Sequence, residues 1–257
     1  MSMRNMRDKY LGLTRKNNQG YEMTIIEYNS CDDILVEFKE PYHCILNACT
    51  GNFIRGGIKN PNAPSVIGIG ISGERYPVRI DGKITVEYQT CVNMLKRCND
   101  SSRPRNHSYA DVSVCNEWLY YDNFYEWYTS QPNYQTAEKM CLDKDILVKG
   151  NKIYEPNKCT LVPANVNLLF LMNKSRRGKY PTGVIKHKNV FLARYNQGVS
   201  GNQKHIGVYN TPEEAFLAYK THKENFIKQV AKQEYNKGTI TYQCYQAMMN
   251  YQINITD

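Results

Sequence analysis

Residues 140–171 hold the combination of side chains that most clearly suggests chemistry. An apolar segment ends in Asp143-Lys144-Asp145. It is followed by a Lys-Gly-Asn turn, a second extended segment and a helix from about Pro163. The predicted order is strand, turn, strand, helix. Such a ββα unit can hold one divalent metal ion against a scissile phosphate. The same charged residues are also typical of a solvated hairpin that binds no metal.

The nine cysteines do not predict a metal site. They are odd in number and scattered, and they include no CxxC pair. No structural zinc is therefore expected, and reduced thiols indicate a cytoplasmic protein. An alternative is a zinc ion held by Cys98, Cys115 and Cys159, if the fold brings them together. No apolar run approaches the roughly 20 residues that span a bilayer, so no membrane partner is expected.

Positive charge is concentrated in the last third of the chain. The whole sequence has 33 Lys+Arg against 24 Asp+Glu, a net charge of +9. Residues 174–257 contain 13 basic and 5 acidic residues, so they supply +8 of that charge. Such asymmetry is expected of a segment that neutralises DNA phosphates. A basic face that only aids solubility is the alternative.

A sheet and a long helix are predicted in this basic segment. Alternating apolar residues indicate three strands, at residues 183–185, 190–195 and 205–209. A helix should begin at Pro212, because Thr211 is placed to cap it and Glu214 completes a capping box. An inward stripe of the helix is predicted at Phe216, Tyr219, Phe226 and Val230.

These elements resemble the AP2 DNA-binding domain. The matching residues are Gly183-Val184, Phe191 to Tyr195, Ile206 to Tyr209, Thr211 to Ala215 and Ala218-Tyr219. In that family the sheet lies in the major groove, and its exposed face contacts bases and phosphates. The resemblance implies that DNA is contacted by Lys186, Lys188, Arg194 and Lys204. Arg194 is the predicted base reader, because a guanidinium can donate to both O6 and N7 of guanine.

The middle of the chain is similar to phage-encoded HNH-type endonuclease modules, which often precede AP2 domains. The similar segments are residues 109–127, 142–145, 154–159 and 165–167. The resemblance implies that Asp143 and Asn167 bind Mg²⁺. It also implies a catalytic histidine after Asp143, where this chain has Lys144. Lys158 stands where the family has a loop-bracing asparagine, and it is predicted to contact DNA together with Arg176 and Arg177 of a basic linker.

Lys144 leaves two functions open. It could act as a general base if its pKa were depressed, or the site could be inactive and the module a DNA-binding scaffold. Asp143 and Asp145 flank Lys144 and would hold it protonated, which favours the scaffold. His107 is a second candidate base.

The predicted fold class is α+β, in three modules. A small β-barrel is expected over residues 1–80, because β-branched and aromatic residues alternate with polar ones between turn signals. An HNH-like ββα module with flanking helices is expected over residues 81–173, and an AP2-like domain over residues 174–257.

The expected function is double-stranded DNA binding by a phage or mobile-element protein in the host cytoplasm. If the site is active, the reaction would be Mg²⁺-dependent hydrolysis of DNA phosphodiesters. The alternative is a catalytically inactive DNA-binding regulator, or an inhibitor of host defence machinery. A host or phage protein would then be a second partner.

Overall fold

The protein is a mixed α+β chain that divides into two compact units. The computed structural model describes residues 3–99, 111–136, 139–170, 179–196 and 203–257. The N-terminal unit covers residues 1–125 and the C-terminal unit residues 126–257. Within the described residues, no helix is both long enough and apolar enough to cross a membrane. The predicted Arg176 and Arg177 contacts, and His107, lie outside the described residues.

An open antiparallel sheet forms the first half of the N-terminal unit. Its elements are α1 (Met3–Tyr10), β1 (Thr14–Lys16), β2 (Glu22–Tyr28), β3 (Ile34–Phe38), β4 (Cys44–Ala48) and α2 (Thr50–Ile54), with strand order β1-β2-β3-β4. Alternate residues of β2 and β3 are buried, as the period of a strand requires. The core includes Met23, Ile25, Ile34, Val36 and Phe38, all fully buried.

The predicted barrel is wrong. In the part of the chain that the structure describes, β1 and β4 are the two edges of the sheet and nothing closes it. The Gly- and Asn-rich residues 55–78 form turns and isolated bridges and add no strand to this sheet. Ile67 and Gly68 have φ of 55° and 75°, values that no strand accommodates. Gly73 packs so closely that a Cβ there would lie 2.2 Å from the Asp122 carboxylate.

The rest of the N-terminal unit is mainly helical. A hairpin of β5 (Arg79–Ile80) and β6 (Lys83–Ile84) is followed by α3 (Val86–Asn99), β7 (Ser113–Val114), a 3₁₀ turn (Glu117–Leu119) and the first turn of α4 (Tyr121–Ser130), which continues past residue 125. Helices were expected beside the ββα unit over residues 81–173, and α3 lies in that range. The core here is aromatic, since Trp118 and Phe124 are fully buried and their rings meet edge to face at 5.2 Å.

The C-terminal unit contains the predicted order of strand, strand and helix. The first strand does not pair with the next strand along the chain but with the one after it. The elements are β8 (Met140–Asp143), β9 (Ile153–Tyr154), β10 (Thr160–Pro163) and α5 (Ala164–Leu169). β8 pairs with β10, with Asp143 opposite Thr160. β9 lies in the long connection between these two strands. The helix follows β10 directly, so Asp143 ends the first strand of the pair and α5 leaves from the second.

A second antiparallel sheet and two helices complete this unit. They are β11 (Val184–His187), β12 (Val190–Asn196), β13 (Gln203–Tyr209), α6 (Pro212–Asn236) and α7 (Tyr242–Met249). The predicted capping box is present. The Thr211 hydroxyl accepts from the Glu214 amide at 3.2 Å, and the Glu214 carboxylate accepts from the Thr211 amide at 3.3 Å. The capping box therefore fixes where α6 begins.

Helix α6 contributes to two hydrophobic cores. Its first half, with Phe216 and Tyr219, packs on the β11-β12-β13 sheet. Its second half, with Ile227 and Ala231, joins β10, α5 and α7 in a separate core. The predicted boundary at residue 173 thus lies within a unit that a single helix holds together. The three-module division itself stays a prediction.

Candidate functional site

Asp143 is buried at the end of β8 and serves the local backbone. One carboxylate oxygen accepts from the Asp145 amide at 2.8 Å and from the Ile146 amide at 2.7 Å, which fixes the turn after the strand. Burial raises the pKa of Asp143, and these two backbone hydrogen bonds oppose the rise. The carboxylate is therefore a structural acceptor in a site with little access to solvent.

Lys144 is engaged through its whole ammonium group. Its side chain is buried, with 7% of the residue exposed. Nζ lies 2.8 Å from both carboxylate oxygens of Asp145 and 2.7 Å from the carbonyl of Asn151. An ammonium group has three donor hydrogens and no acceptor, so these contacts use its full capacity.

Asn151 braces the long connection between β8 and β10. Its amide nitrogen donates to the carbonyls of Lys144 at 3.1 Å and Ile153 at 2.7 Å, and its oxygen accepts from the Ile153 amide at 3.1 Å. The resemblance had placed the bracing position at Lys158. Lys158 instead pairs with Glu155 at 2.8 Å on a partly exposed surface. The signal for Asn151 was present in the Lys-Gly-Asn turn, because asparagine in turns bonds nearby backbone.

Asn167, predicted with Asp143 as a Mg²⁺ ligand, stays a prediction in that role. It lies half-buried on α5, and within the described residues no hydrogen bond connects it to Asp143 or Lys144. Nor do three His, Cys, Asp or Glu side chains come together in a metal-binding group there. Mg²⁺ usually retains several water molecules and is bound through one or two carboxylates, so its ligands must be open to water. The buried Asp143 carboxylate, already bonded to two amides and followed by an ion-paired lysine, does not fit that requirement.

The β11-β12-β13 sheet presents two chemically different faces. Ala193 and Tyr195 of β12 point to α6 and are buried in its core, so Leu192 and Arg194 point away from the helix. We call this second side the outer face. The register places Ile185 and Val208 on either side of Leu192, and His205 opposite Arg194. An irregularity at Ala193/Arg194 absorbs one extra residue of β13.

The predicted DNA contacts are distributed around this sheet. Only Arg194 belongs to the outer face. Lys186 pairs with Phe191 and Lys204 with Tyr195, which places both on the helix side by register, although both are exposed on outer strands. Lys188 lies in the exposed turn between β11 and β12 with φ of 54°. Lys186 and Lys204 therefore project on the α6 side of the sheet, Lys188 lies in the turn at its end, and Arg194 stands on the outer face.

Arg194 is half-buried, and its Nε has no hydrogen-bond partner in the described part of the chain. A shielded donor without a partner costs free energy in the unbound protein. Nothing in the sequence pattern pointed to this state. The guanidinium is therefore held against the sheet with hydrogen-bonding capacity to spare.

The chain matches no known family model, no curated protein and no solved structure. The similarities to HNH-type endonucleases and to the AP2 domain therefore rest on the motif residues alone. They stay predictions.

Proposed function

We propose that this chain binds double-stranded DNA through the outer face of the β11-β12-β13 sheet and does not cleave it. The observation that carries the proposal is that the two sides of this sheet differ. One side is filled by α6, and the other carries Arg194, with Lys188 in the exposed turn between β11 and β12. The major groove of B-DNA, about 12 Å wide, admits strands of this kind.

Charge supports a polyanionic partner. None of the three strands contains an acidic residue. Residues 174–257 have 13 basic and 5 acidic residues, so the surrounding segment is also strongly positive. Lysines at the edges suit phosphates, which fix the register of a protein on the duplex without reading sequence. Arg194 suits a base edge, because its planar guanidinium can donate two parallel hydrogen bonds to guanine.

The geometry at Lys144 favours binding without cleavage. A general base must be within reach of the water proton and must be unprotonated. The Lys144 ammonium is instead paired with Asp145 and the Asn151 carbonyl. Binding alone suits a regulator or an inhibitor of host machinery, the second function expected from the sequence. The phage origin and any protein partner stay predictions.

The binding proposal is tested by measuring affinity as a function of salt. Bound duplexes are first selected from a random library, and fluorescence anisotropy then follows the affinity of the whole chain between 50 and 300 mM KCl. We expect the logarithm of affinity to fall linearly with the logarithm of salt concentration. Arg194→Glu should abolish sequence-selective binding. Arg15→Glu, an equal charge reversal on exposed β1, should leave that selectivity unchanged. Affinity independent of salt would contradict the proposal.

Cleavage remains a second candidate because Asp143 ends the first strand of a ββα unit. Intact genomic DNA is incubated with the protein and Mg²⁺ or Mn²⁺, and new ends are sequenced. We expect none. Discrete ends that disappear with Asp143→Ala would establish a nuclease and overturn the binding-only function. In that case Asn167→Ala or Lys144→Met should also reduce the number of ends.

A further inference from the structure

The outer face of the β11-β12-β13 sheet carries an apolar stripe. It consists of Ile185, Leu192 and Val208, which the register aligns across the three strands. Ile185 is 43% exposed and Val208 56% exposed, and Leu192 lies half-buried between them. Strands that face water on one side normally alternate apolar and polar residues, so polar side chains are expected at these positions. An aligned exposed stripe of this kind marks a binding surface.

The surroundings of the stripe identify its partner as a polyanion. Arg194 and His205 lie next to it on the same face, and exposed Lys188 lies in the turn between β11 and β12. The three strands contain no acidic residue that would repel phosphate. An apolar protein partner would have no need of this positive charge, whereas a DNA duplex offers phosphates to the cations and apolar base edges to the stripe. Charge complementarity thus commits the surface to DNA.

We propose that this stripe reads the methyl groups of thymine in the major groove, beside a guanine read by Arg194. The inference rests on the proposed function and names the bases that it recognises. The C5-methyl of thymine is the apolar feature among the base edges of the major groove, and aliphatic side chains contact it. Ile185, Leu192 and Val208 are the aliphatic side chains placed to do so.

The width of the stripe matches the spacing of consecutive base pairs. Neighbouring strands lie about 4.8 Å apart, so the stripe extends about 10 Å across the sheet. Base pairs stack about 3.4 Å apart, so the stripe spans about three of them. Arg194 follows Leu192 by two residues on the same face, a step of about 7 Å along the strand. The recognised site is therefore a short thymine-containing run adjoining a guanine.

The test removes single methyl groups from the DNA. The bound sequence is selected from a random duplex library with the whole chain, and each thymine of the site is replaced in turn by deoxyuridine. Deoxyuridine keeps the pairing and O4 and lacks only the methyl. We expect each replacement opposite the stripe to weaken binding about fourfold, the effect of one buried methyl group. Replacements outside the selected site should change nothing.

Variants assign the effect to the stripe. Leu192→Ala and Val208→Ala should each lose the preference for thymine over deoxyuridine at the base pair opposite the shortened side chain, while Val208→Ile should keep the preference for thymine. Ile45→Ala is the matched control, because Ile45 is an exposed isoleucine on the outer side of the first sheet. It should behave as the parent. Thermal unfolding of each variant confirms that the fold is retained.

The possible results separate the two proposals. Salt-sensitive, sequence-selective binding that ignores the methyl groups would overturn the thymine inference and leave the DNA-binding function standing. Absence of DNA binding would overturn the proposed function and the inference with it. Self-association of the parent that Val208→Ala abolishes, with no DNA binding, would reassign the stripe to contacts between copies of the chain.

Discussion

The two antiparallel sheets are built alike inside and differ on their outer sides. In the first sheet, Thr24, Glu37 and Ile45 align across β2, β3 and β4 opposite the core. In the second, Ile185, Leu192 and Val208 align across β11, β12 and β13. The first arrangement is mixed, with an acidic residue at its centre, as an ordinary solvated face is. The second is apolar and bordered by cations. The exposed faces, and not the cores, therefore distinguish the sheet that we propose binds DNA from the first sheet.

The two units also differ in what they bury. The polar side chains buried in the first sheet's half of the N-terminal unit are uncharged: Asn17, Thr50 and Asn60. The charged residues that are buried in the described chain all belong to the C-terminal unit: Asp143, Lys144, Lys223 and Glu234. Buried charges couple folding to pH. The C-terminal unit should therefore carry the pH dependence of stability.

Substitutions on the inner faces should cause the largest losses in the free energy of unfolding, and these losses should be equal in the two sheets. Phe38→Ala and Tyr195→Ala each remove a buried aromatic ring and should lower the free energy of unfolding by about 3–5 kcal/mol. Ile45→Ala and Val208→Ala should change it by less than about 0.5 kcal/mol. Hydrogen exchange resolves each unit separately. If Val208→Ala lowered the free energy of unfolding as much as Tyr195→Ala does, the outer face would belong to the core.

Lys223 should give the next largest effect. Burial lowers the pKa of Lys223 to about 8, from 10.5. Because the unfolded chain then binds more protons than the folded one between these values, stability should rise with pH from about 8 to 10.5. Lys223→Met should raise the free energy of unfolding at pH 7 by about 3 kcal/mol and flatten this rise. Urea unfolding from pH 7 to 10.5 measures it.

Lys232→Met is the control for Lys223, since Lys232 is exposed on the same helix. It should leave both the stability and its pH dependence nearly unchanged. Equal stabilisation by both variants would mean that the gain comes from the methionine and not from removal of a buried charge.

Arg194→Ala should relax base preference at a single position. The expected loss is about 1–3 kcal/mol for the preferred base pair and little for the others. Affinities for a set of single-base variants of the selected site measure it. Arg15→Ala on β1 of the first sheet should leave the preferences unchanged. Equal weakening on every sequence would make Arg194 a phosphate contact.

The smallest effect is expected at the edge of the second sheet. Lys204→Ala should weaken binding to all sequences alike and reduce the salt slope by about one. Lys16→Ala, an exposed lysine on the edge strand of the first sheet, should leave the slope as it is. If both variants change the slope equally, the first sheet also contacts DNA and the contrast between the sheets fails.

Local signals predicted part of this fold well. Helix α6 begins at Pro212 as expected, because Thr211, Pro212 and Glu214 act within one turn. The three strands of the second sheet were also predicted, since their alternation is short-range. The barrel was wrong because closure depends on pairing between distant strands, and the positive φ at Ile67 could not be foreseen from a residue type that disfavours it.

The sequence predicted which charges of the candidate site would attract each other, but not which groups each side chain would contact. The sequence indicated that an acidic neighbour would hold Lys144 protonated, and Asp145 does contact it. It did not indicate that the Asp143 carboxylate would serve backbone amides. The facing of Lys186 and Lys204 could not be predicted either, because one residue of register decides the side of a sheet on which a side chain lies.

Helix α6 limits where this chain could recombine with the chain of another protein. The 25-residue helix extends about 37 Å at 1.5 Å per residue, with one half under the sheet and the other in the core of the ββα unit. Recombination near residue 173 would leave each product with an uncovered apolar surface. The smallest segment that could be grafted onto another protein is therefore residues 126–257, and inheritance of the sheet brings the ββα unit with it.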